Sequence, residues 1–208
     1  MHSQIKCVSL AITGASGCGY GLRLLEHLLQ AECQVYLMIS KAAQAVMALE
    51  SDLSVPAHPK AAQVLFSERF RAAPGQLWVF GREQWTAPVA SGSNAAQAMV
   101  IAPCSTGTLS AIACGASNNL IERAADVMLK ERRPLILMIR ETPLSVIHLE
   151  NMLSLARLGV TIMPASPGFY QHPQQISELL DFMVARVLDH LAIEHQLLRR
   201  WGERSEES

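Results

Sequence analysis

The chain has 208 residues, which suits one compact domain on the usual scale of about 100 to 200 residues per domain. Half of the residues are hydrophobic and only 17% are charged, against roughly 25% in ordinary soluble domains. We therefore expect part of the surface to be buried against other copies in a homo-oligomer, which would explain the low charged fraction. A net charge of -1 and the absence of a basic block exclude a nucleic-acid partner.

The polar residues favour a small anionic ligand inside a reducing compartment. Arg outnumbers Lys 13 to 4, and the planar guanidinium suits forked contacts with phosphate or carboxylate. The five cysteines contain no CxxC pair, so we expect reduced thiols in a cytoplasmic protein rather than disulfides or a zinc site. No apolar run approaches the roughly 18 residues that would span a membrane.

The first half of the chain alternates apolar strands with amphipathic helices. The pattern predicts strands at 8–13 and 34–40, each followed by a helical face, at 20–29 and 42–49. Residues 52–94 are less regular, since three prolines surround a short helical patch at 52–75 and residues 81–94 have loop composition. This middle section is a candidate for an active-site flap.

The second half repeats the alternation. We predict strands at 98–103, 134–139 and 160–163 and helices at 106–114, 119–130, 146–158 and about 174–201, the last followed by a frayed tail. Thr142 and Pro143 are expected as the N-cap and first-turn proline of the helix over 146–158, and Gly159 as its terminator.

Strands that are apolar throughout and alternate with helices indicate a doubly wound α/β fold. We predict one domain over residues 1–208, with a mostly parallel sheet and helices on both faces, of the Rossmann or flavodoxin-like kind. Ligands of such sheets lie beyond the carboxyl ends of the strands. The residues at those ends are Gly14, Ala15, Ser16, Ser40, Ser105, Thr106, Arg140, Glu141 and the 165–170 segment.

The glycine-rich turn after the first strand is typical of phosphate binding. It opens a helix, where free N–H groups and the helix dipole attract an anion. It departs from GxGxxG because Ser16 takes the middle glycine position, and Ser40 replaces the acidic residue that would hold a dinucleotide ribose. NAD is disfavoured and P-loop spacing is absent; a purely structural tight turn is the alternative interpretation.

Other polar residues narrow the chemistry. The segment from Ser105 to Thr108 places hydroxyls at a helix start, where they suit a phosphate or serve as ordinary N-caps. Asp occurs only at 52, 126, 181 and 189 and no histidine spacing fits a metal, so we expect no metal. Trp85 is either a stacking wall or a packing residue, whereas packing is the simpler interpretation for Trp201.

Taken together, five segments resemble the flavin prenyltransferase family, the UbiX-type enzymes. They are GASGCGYG, Ser40, PCSTGTLSAIACG, NNLIERAADVMLKERRPLIL and RETPLSVIHLENM. The resemblance covers almost the whole chain, and the fourth and fifth segments are the most specific. It implies transfer of a dimethylallyl group from dimethylallyl monophosphate to N5 and C6 of reduced FMN without a metal. The product, prenylated FMN, would serve a UbiD-type decarboxylase in ubiquinone synthesis or aromatic-acid decarboxylation.

The resemblance also implies roles for individual residues. As FMN contacts it implies Gly14, Ala15, Ser16, Ser40, Ser105, Thr106, Gly107, Thr108 and Arg123. As the cradle of dimethylallyl phosphate it implies Arg123, Lys130, Arg140, Tyr170 and Arg186, with Trp85 able to face the allyl cation. The catalytic set is Ser16, Glu50, Lys130 and Glu141, in which either glutamate could be the base.

Two other functions fit the same fold. A flavin-dependent cysteine decarboxylase would carry Pro-Ala-Ser-Ala-Asn-Thr at 103–108, but here Gly107 stands where that signature has Asn. A flavin-storage or electron-transfer module would need no second anion site. One feature also departs from many flavin prenyltransferases, which read Ser-Met-Lys-Thr where this chain has Ser-Thr-Gly-Thr, so the FMN contact there is expected to be mainly backbone.

Overall fold

A computed structural model gives the structure of residues 5–198. Its sheet has six strands: β1 Cys7–Ile12, β2 Gln34–Ile39, β3 Leu77–Phe80, β4 Ala98–Cys104, β5 Leu135–Ile139 and β6 Thr161–Pro164. All neighbouring strands pair in parallel, in the order β3-β2-β1-β4-β5-β6. This confirms the doubly wound fold, in its Rossmann order. The order reverses between β1 and β4, and ligands bind beside that point in such sheets.

Helices cover both faces of the sheet. They are α1 Cys18–Gln30, α2 Lys41–Glu50, α3 Pro59–Phe70, α4 Thr106–Ala113, α5 Leu120–Lys130, α6 Val146–Arg157 and α7 Ile176–His190. Buried side chains of α1, α2, α3 and α7 share one core with the sheet, and those of α4, α5 and α6 share the other. The apolar faces predicted from the sequence are therefore the faces that the sheet covers.

Burial on both faces explains why the central strands could be predicted from the sequence. Along β1, Leu10 and Ile12 belong to one core and Ala11 to the other, and along β4 Val100 and Ile101 divide in the same way. Both faces of these strands are buried, so nearly every position is apolar rather than every second one, and the buried Ser9 of β1 is an exception. Beyond β1, Thr13 is also buried, and its hydroxyl donates to the carbonyl of Pro103 at 2.9 Å.

Strand β3 was not predicted and is the first correction. It has only four residues, it follows a turn in which Gly75 adopts a φ of 78°, and it forms the edge of the sheet beside β2. Such a short apolar run after a proline and a glycine has no clear period. The helical patch before it is a full helix, α3, that begins at Pro59.

The terminal helix is shorter than the predicted 174–201. α7 ends at His190, because Ala192 adopts a left-handed conformation (φ 52°) and the N–H groups of Ala192 and Ile193 donate back to Asp189 and Leu188. This is a Schellman ending without the usual glycine. The turn buries Ile193, which is 3% exposed. Trp201 and the predicted tail lie outside the described residues.

The start of α6 is a further correction. Thr142 and Pro143 lie before the helix, whose N-cap is Ser145, with the hydroxyl accepting a hydrogen bond from the N–H of His148. Serine and threonine are both common N-caps, so the sequence alone does not decide between Thr142 and Ser145. At the other end Gly159 follows the cap with a φ of 88°, as predicted.

Candidate active site

The backbone conformation and close packing of the turn after β1 explain why it contains so many glycines. Gly17 has a φ of 97°, in the left-handed region that favours glycine. A Cβ on Gly21 would lie 2.2 Å from the carbonyl oxygen of Ala102, and one on Gly14 would lie 2.4 Å from Cβ of Ala42. The turn is thus packed tightly against β4 and α2. These glycines are needed for packing, as the alternative interpretation of a structural tight turn expects.

The anion at the start of α1 is a side chain of the protein. The carboxylate of Glu50, the last residue of α2, accepts hydrogen bonds from the N–H of Gly17 (3.0 and 2.9 Å) and from the N–H of Cys18 (2.9 Å). Ser16 also donates a side-chain hydrogen bond to it. The Glu50 carboxylate is therefore the acceptor for N–H groups of this turn that were predicted to bind phosphate.

The contacts between Glu50 and the start of α1 also affect the pKa values of the Glu50 carboxyl and the Cys18 thiol. Burial alone would raise the pKa of Glu50, but the hydrogen bonds from Ser16, Cys18 and Gly17 outweigh it and hold the pKa below its ordinary value. Burial, followed by the Glu50 carboxylate, raises the pKa of Cys18 to about 12. The site therefore holds an ionised carboxylate beside a neutral thiol.

A second polar group lies at the ends of β4 and β5. The N–H of Ser105 donates to the buried hydroxyl of Thr13 at 2.8 Å, which joins the ends of β1 and β4. Ser105 caps α4 by accepting from the N–H of Thr108, and the two hydroxyls are 3.1 Å apart. Thr106 donates to Glu141 at 3.4 Å. The structure thus brings Glu141 to the hydroxyl-rich start of α4.

A cavity of about 540 Å³ opens at this edge. Ser40 and Thr108, two predicted FMN contacts, lie in its wall together with the start of α5. Apolar residues form most of the rest. Its complete lining is Met38, Ile39, Ser40, Lys41, Ala42, Ala45, Phe80, Gly81, Arg82, Thr108, Asn119, Leu120 and Ile121. Volume and lining are typical of a site for a small organic ligand.

Two residues predicted to contact dimethylallyl phosphate lie at the same edge of the sheet. Arg140 directly follows β5, and its Nε is buried without a hydrogen-bond partner among the described residues. Tyr170 lies in the loop after β6 and packs edge to face on Phe182, with ring centroids 5.6 Å apart. A buried guanidinium N–H without a partner is costly unless a ligand satisfies it.

The chain does not bring Lys130 to this edge. α5 starts at the cavity, ends at Lys130 and is followed by the amino end of β5. The neighbouring Arg133 donates to the carbonyls of Ala95 and Ala96, just before the amino end of β4. Lys130 itself pairs with Glu131. Within one subunit, therefore, Lys130 does not lie beside the other predicted phosphate-binding residues, and its role stays a prediction.

Three further predicted residues stand apart from the cavity. Arg123 donates to the carbonyl of Ala90 at 3.0 Å and pairs with Asp126 at 2.7 Å. Arg186 is exposed in the third turn of α7, where it pairs with Asp189. Trp85 is 48% exposed in the loop after β3. Their roles stay predictions.

The cavity wall also contains Arg82, Lys41 and Asn119, which were not predicted as site residues. Arg82 follows the unpredicted strand β3, so its place at a strand end had no signal. Lys41 directly follows Ser40 and could have been found by extending the strand-end argument by one residue. Within residues 5–198 there is no cluster of three or more possible metal ligands, and no helix is both long and apolar enough to cross a membrane.

The fold and the site place the protein in a structural class: α/β proteins with a sheet in Rossmann order and a ligand cavity at the carboxyl edge of the sheet. The family model described as "Flavoprotein" matches residues 1–188. The flavin prenyltransferase UbiX of Pseudomonas aeruginosa is 61% identical over 94% of either chain, and that of Halalkalibacterium halodurans is 48% identical over 94% of this chain and 93% of the relative. The chain belongs to the UbiX-type flavin prenyltransferases, a flavoprotein family of enzymes.

Solved structures agree with this assignment. AnUbiX (PadA1), solved with FMN and dimethylallyl pyrophosphate, has a TM-score of 0.85 and 39% identity, covering 97% of this chain and 100% of its own. A dodecameric FMN-dependent UbiX-like decarboxylase from Escherichia coli O157:H7 has a TM-score of 0.83 and 37% identity, covering 95% and 100%. The cysteine decarboxylase TvaF shares only the fold, at 16% identity and a TM-score of 0.59.

Proposed function

We propose that this enzyme transfers the dimethylallyl group of dimethylallyl monophosphate to N5 and C6 of reduced FMN, and that a UbiD-type decarboxylase uses the prenylated product. The observation that carries the proposal is the pair of carboxylates at one sheet edge. Glu50 is fixed at the start of α1 and Glu141 at the start of α4, beside the ends of β1 and β4, where doubly wound sheets bind ligands. The relatives, up to 61% identical, support the reaction class.

FMN fits the residues that are present. The cavity has room for a ring system between apolar walls, hydroxyls of Ser40 and Thr108 for polar groups, and no acidic residue in its lining. A side chain added at Gly107 would meet open space, so a ligand can approach the backbone there. When bound, the flavin supplies the nucleophilic N5 and C6. The residues proposed to hold it are Gly14, Ala15, Ser16, Ser40, Ser105, Thr106, Gly107, Thr108 and Arg123.

One subunit brings only some of the residues predicted to hold the donor phosphate to this edge. Arg140 has a buried N–H without a partner among the described residues, and Tyr170 lies on the loop after the neighbouring strand. Lys130 and Arg186 lie elsewhere on the chain, so a cradle that includes them takes them from another copy. This supports a homo-oligomer, as does the dodecameric relative.

The protein's part in the reaction is electrostatic and proton-transferring. When the ester C–O bond breaks, its electron pair leaves with the phosphate, which Arg140 and the other cations stabilise. Because these cations neutralise the phosphate charge, we propose that the reaction needs no metal ion. Trp85 is proposed to face the allyl cation. Attachment at both N5 and C6 would release one proton from each of these atoms and add one proton to the double bond of the dimethylallyl group. Accepting the proton from C6 and returning one to the double bond is acid-base work for Glu50 or Glu141, and the departing phosphate can take the proton that remains. The five free thiols suit a cytoplasmic location.

The direct test is to incubate the purified protein with reduced FMN and dimethylallyl monophosphate in the presence of a chelator. We expect release of inorganic phosphate and a flavin that is heavier by one prenyl unit in the mass spectrum. Dimethylallyl diphosphate in a parallel reaction should react more slowly. An unchanged flavin mass with either donor would contradict the proposal.

The second test concerns the recipient of the product. The reaction mixture, passed through a membrane that retains protein, should activate an apo UbiD-type decarboxylase, whereas a mixture without the donor should not. Activation by FMN alone would show that prenylation is not what the recipient needs.

A further inference from the structure

The main cavity has a smaller neighbour of about 240 Å³. The two share a wall at the carboxyl ends of β2 and β3, made by Ile39, Lys41, Phe80, Gly81 and Arg82. Beyond this wall the smaller cavity is mainly apolar, with Val55, Val79 and Ala62 in its lining. Both cationic side chains therefore belong to two cavities at once, and neither belongs to the predicted site.

The charges around this wall are all positive. Neither cavity has an aspartate or glutamate in its lining. Lys41 is the first residue of α2, and the start of α5 at Leu120 lies in the wall of the main cavity. Both helices are longer than two turns, so the positive ends of their dipoles add to the two side-chain charges.

Neither cation is neutralised within the described part of the chain. Lys41 Nζ and the Arg82 guanidinium form no ion pair or hydrogen bond with residues 5–198, whereas Arg123, Lys130 and Arg186 each pair with an acidic neighbour. Two unpaired cations beside apolar walls, with no counter-charge, attract an anion that has an apolar body.

The backbone holds Arg82 at this position. Its carbonyl oxygen accepts a hydrogen bond from the N–H of Leu120 at 2.8 Å, which fastens the end of β3 to the start of α5. The N–H of Gly81 donates to the side-chain oxygen of Gln84 at 3.1 Å. Because β2 and β3 are hydrogen-bonded neighbours, the backbones of Lys41 and Arg82 follow adjacent strands. The sheet therefore holds the two backbone positions next to each other, whatever conformations the side chains adopt.

We propose that Lys41 and Arg82 bind the phosphate group of a phosphate monoester at the wall between the two cavities. The inference rests on the proposed function, which offers two such esters, FMN and the dimethylallyl donor. Lys41 contributes a point charge, and Arg82 contributes the planar fork that matches phosphate oxygens. The apolar part of the ester then lies against Ile39 and Phe80.

The experiment compares Lys41→Gln, Arg82→Gln and the double variant with the parent protein. The dissociation constant of FMN is measured by quenching of flavin fluorescence, that of riboflavin, which lacks the phosphate, in the same way, and KM is measured for dimethylallyl monophosphate. Each single variant should lose about tenfold or more in one phosphate-containing ligand, as expected for a charge-assisted hydrogen bond. Riboflavin binding should stay unchanged.

The pattern identifies the ester. Weaker FMN binding assigns the pair to the flavin phosphate, and a raised KM with normal FMN binding assigns it to the donor. Unchanged values for both ligands in the double variant would overturn the inference. A parent protein that does not bind FMN would instead contradict the proposed function. Lys60→Gln, an exposed lysine on α3 outside both linings, is the matched control, and circular dichroism checks folding.

Discussion

Glu50 has two tasks at the residue scale. Its carboxylate completes the hydrogen bonding of the α1 start, through Gly17 and Cys18, and it is also a candidate base. An acid that is ionised because backbone N–H groups hold it is fixed in position, which suits a group that must meet a cation or a proton at one place. If Glu50 is the proposed base, structural and catalytic demands fall on one side chain.

Replacing this carboxylate separates the two tasks. Glu50→Gln keeps the shape but removes the charge, and we expect turnover of reduced FMN and dimethylallyl monophosphate to fall about a hundredfold or more, as is usual when a general base is lost. Flavin product is quantified by mass spectrometry. Glu68→Gln, an exposed carboxylate on α3, is the control. Equal rates in the two variants would show that Glu50 is only structural.

His27 makes the stability depend on pH. Burial, with Arg23 next, lowers its pKa below 6.5, and its buried Nε2 has no hydrogen-bond partner among the described residues. As the pH falls through 6.5, the unfolded chain takes up a proton that the folded chain resists, so the free energy of unfolding decreases. His27→Gln should reduce this acid loss in urea unfolding curves, and the exposed His58→Gln should not.

At the scale of elements, α5 joins the cavity to the opposite edge of the sheet. It begins with Asn119, whose Oδ1 accepts from the N–H groups of Ile121 and Glu122 at 3.0 and 3.1 Å. The Glu122 carboxylate in turn accepts from the N–H of Asn118, the residue before the cap. The helix start is thereby held where it forms part of the cavity wall.

Asn119→Ala removes this cap and leaves two backbone N–H groups without their acceptor. We expect a loss of about 1 kcal/mol in unfolding free energy, or about 2 to 4 °C in melting temperature for a chain of this length. Asn119→Asp preserves the acceptor and should melt close to the parent protein in differential scanning calorimetry. A normal melting temperature for Asn119→Ala would mean that water replaces the cap without cost.

The sequence predicted elements well where burial is two-sided and poorly where tertiary contacts decide. β1, β2, β4 and β5 are continuous apolar runs, and their ends locate Ser40, Ser105 and Glu141 at one edge because parallel strands end together. β3 has no period in four residues, and α7 ends at a left-handed alanine that composition does not mark. The distance of Lys130 from the cavity within one subunit could not be predicted from strand ends, because it depends on an 11-residue helix that is about 16 Å long.

At the scale of the whole molecule, α6 presents an apolar surface that one chain leaves open. Val146, Ile147, Leu149 and Leu153 are each at least half exposed on this helix, which begins close to Glu141. Patches of this kind mark contacts with other proteins. Together with the remote positions of Lys130 and Arg186, the patch supports the proposed assembly of several copies.

Ile147→Asp should weaken that assembly, because a charge cannot be buried between apolar faces without a partner. Size-exclusion chromatography with light scattering should show a smaller mass than for the parent, whose mass we expect to be a multiple of 22.7 kDa. Val64→Asp, an exposed apolar position on α3, tests whether any surface charge has this effect. Monomeric parent protein would remove the basis for a shared cradle.

The cysteines differ in a way that helps the experimenter. Burial raises the pKa of Cys7, Cys18, Cys33 and Cys104, while Cys114, beyond the end of α4, is exposed. Thiolate is the form that reacts with maleimides. A fluorophore should therefore attach at Cys114 at neutral pH without any prior mutagenesis, which would give a singly labelled enzyme for following ligand arrival by energy transfer to the flavin.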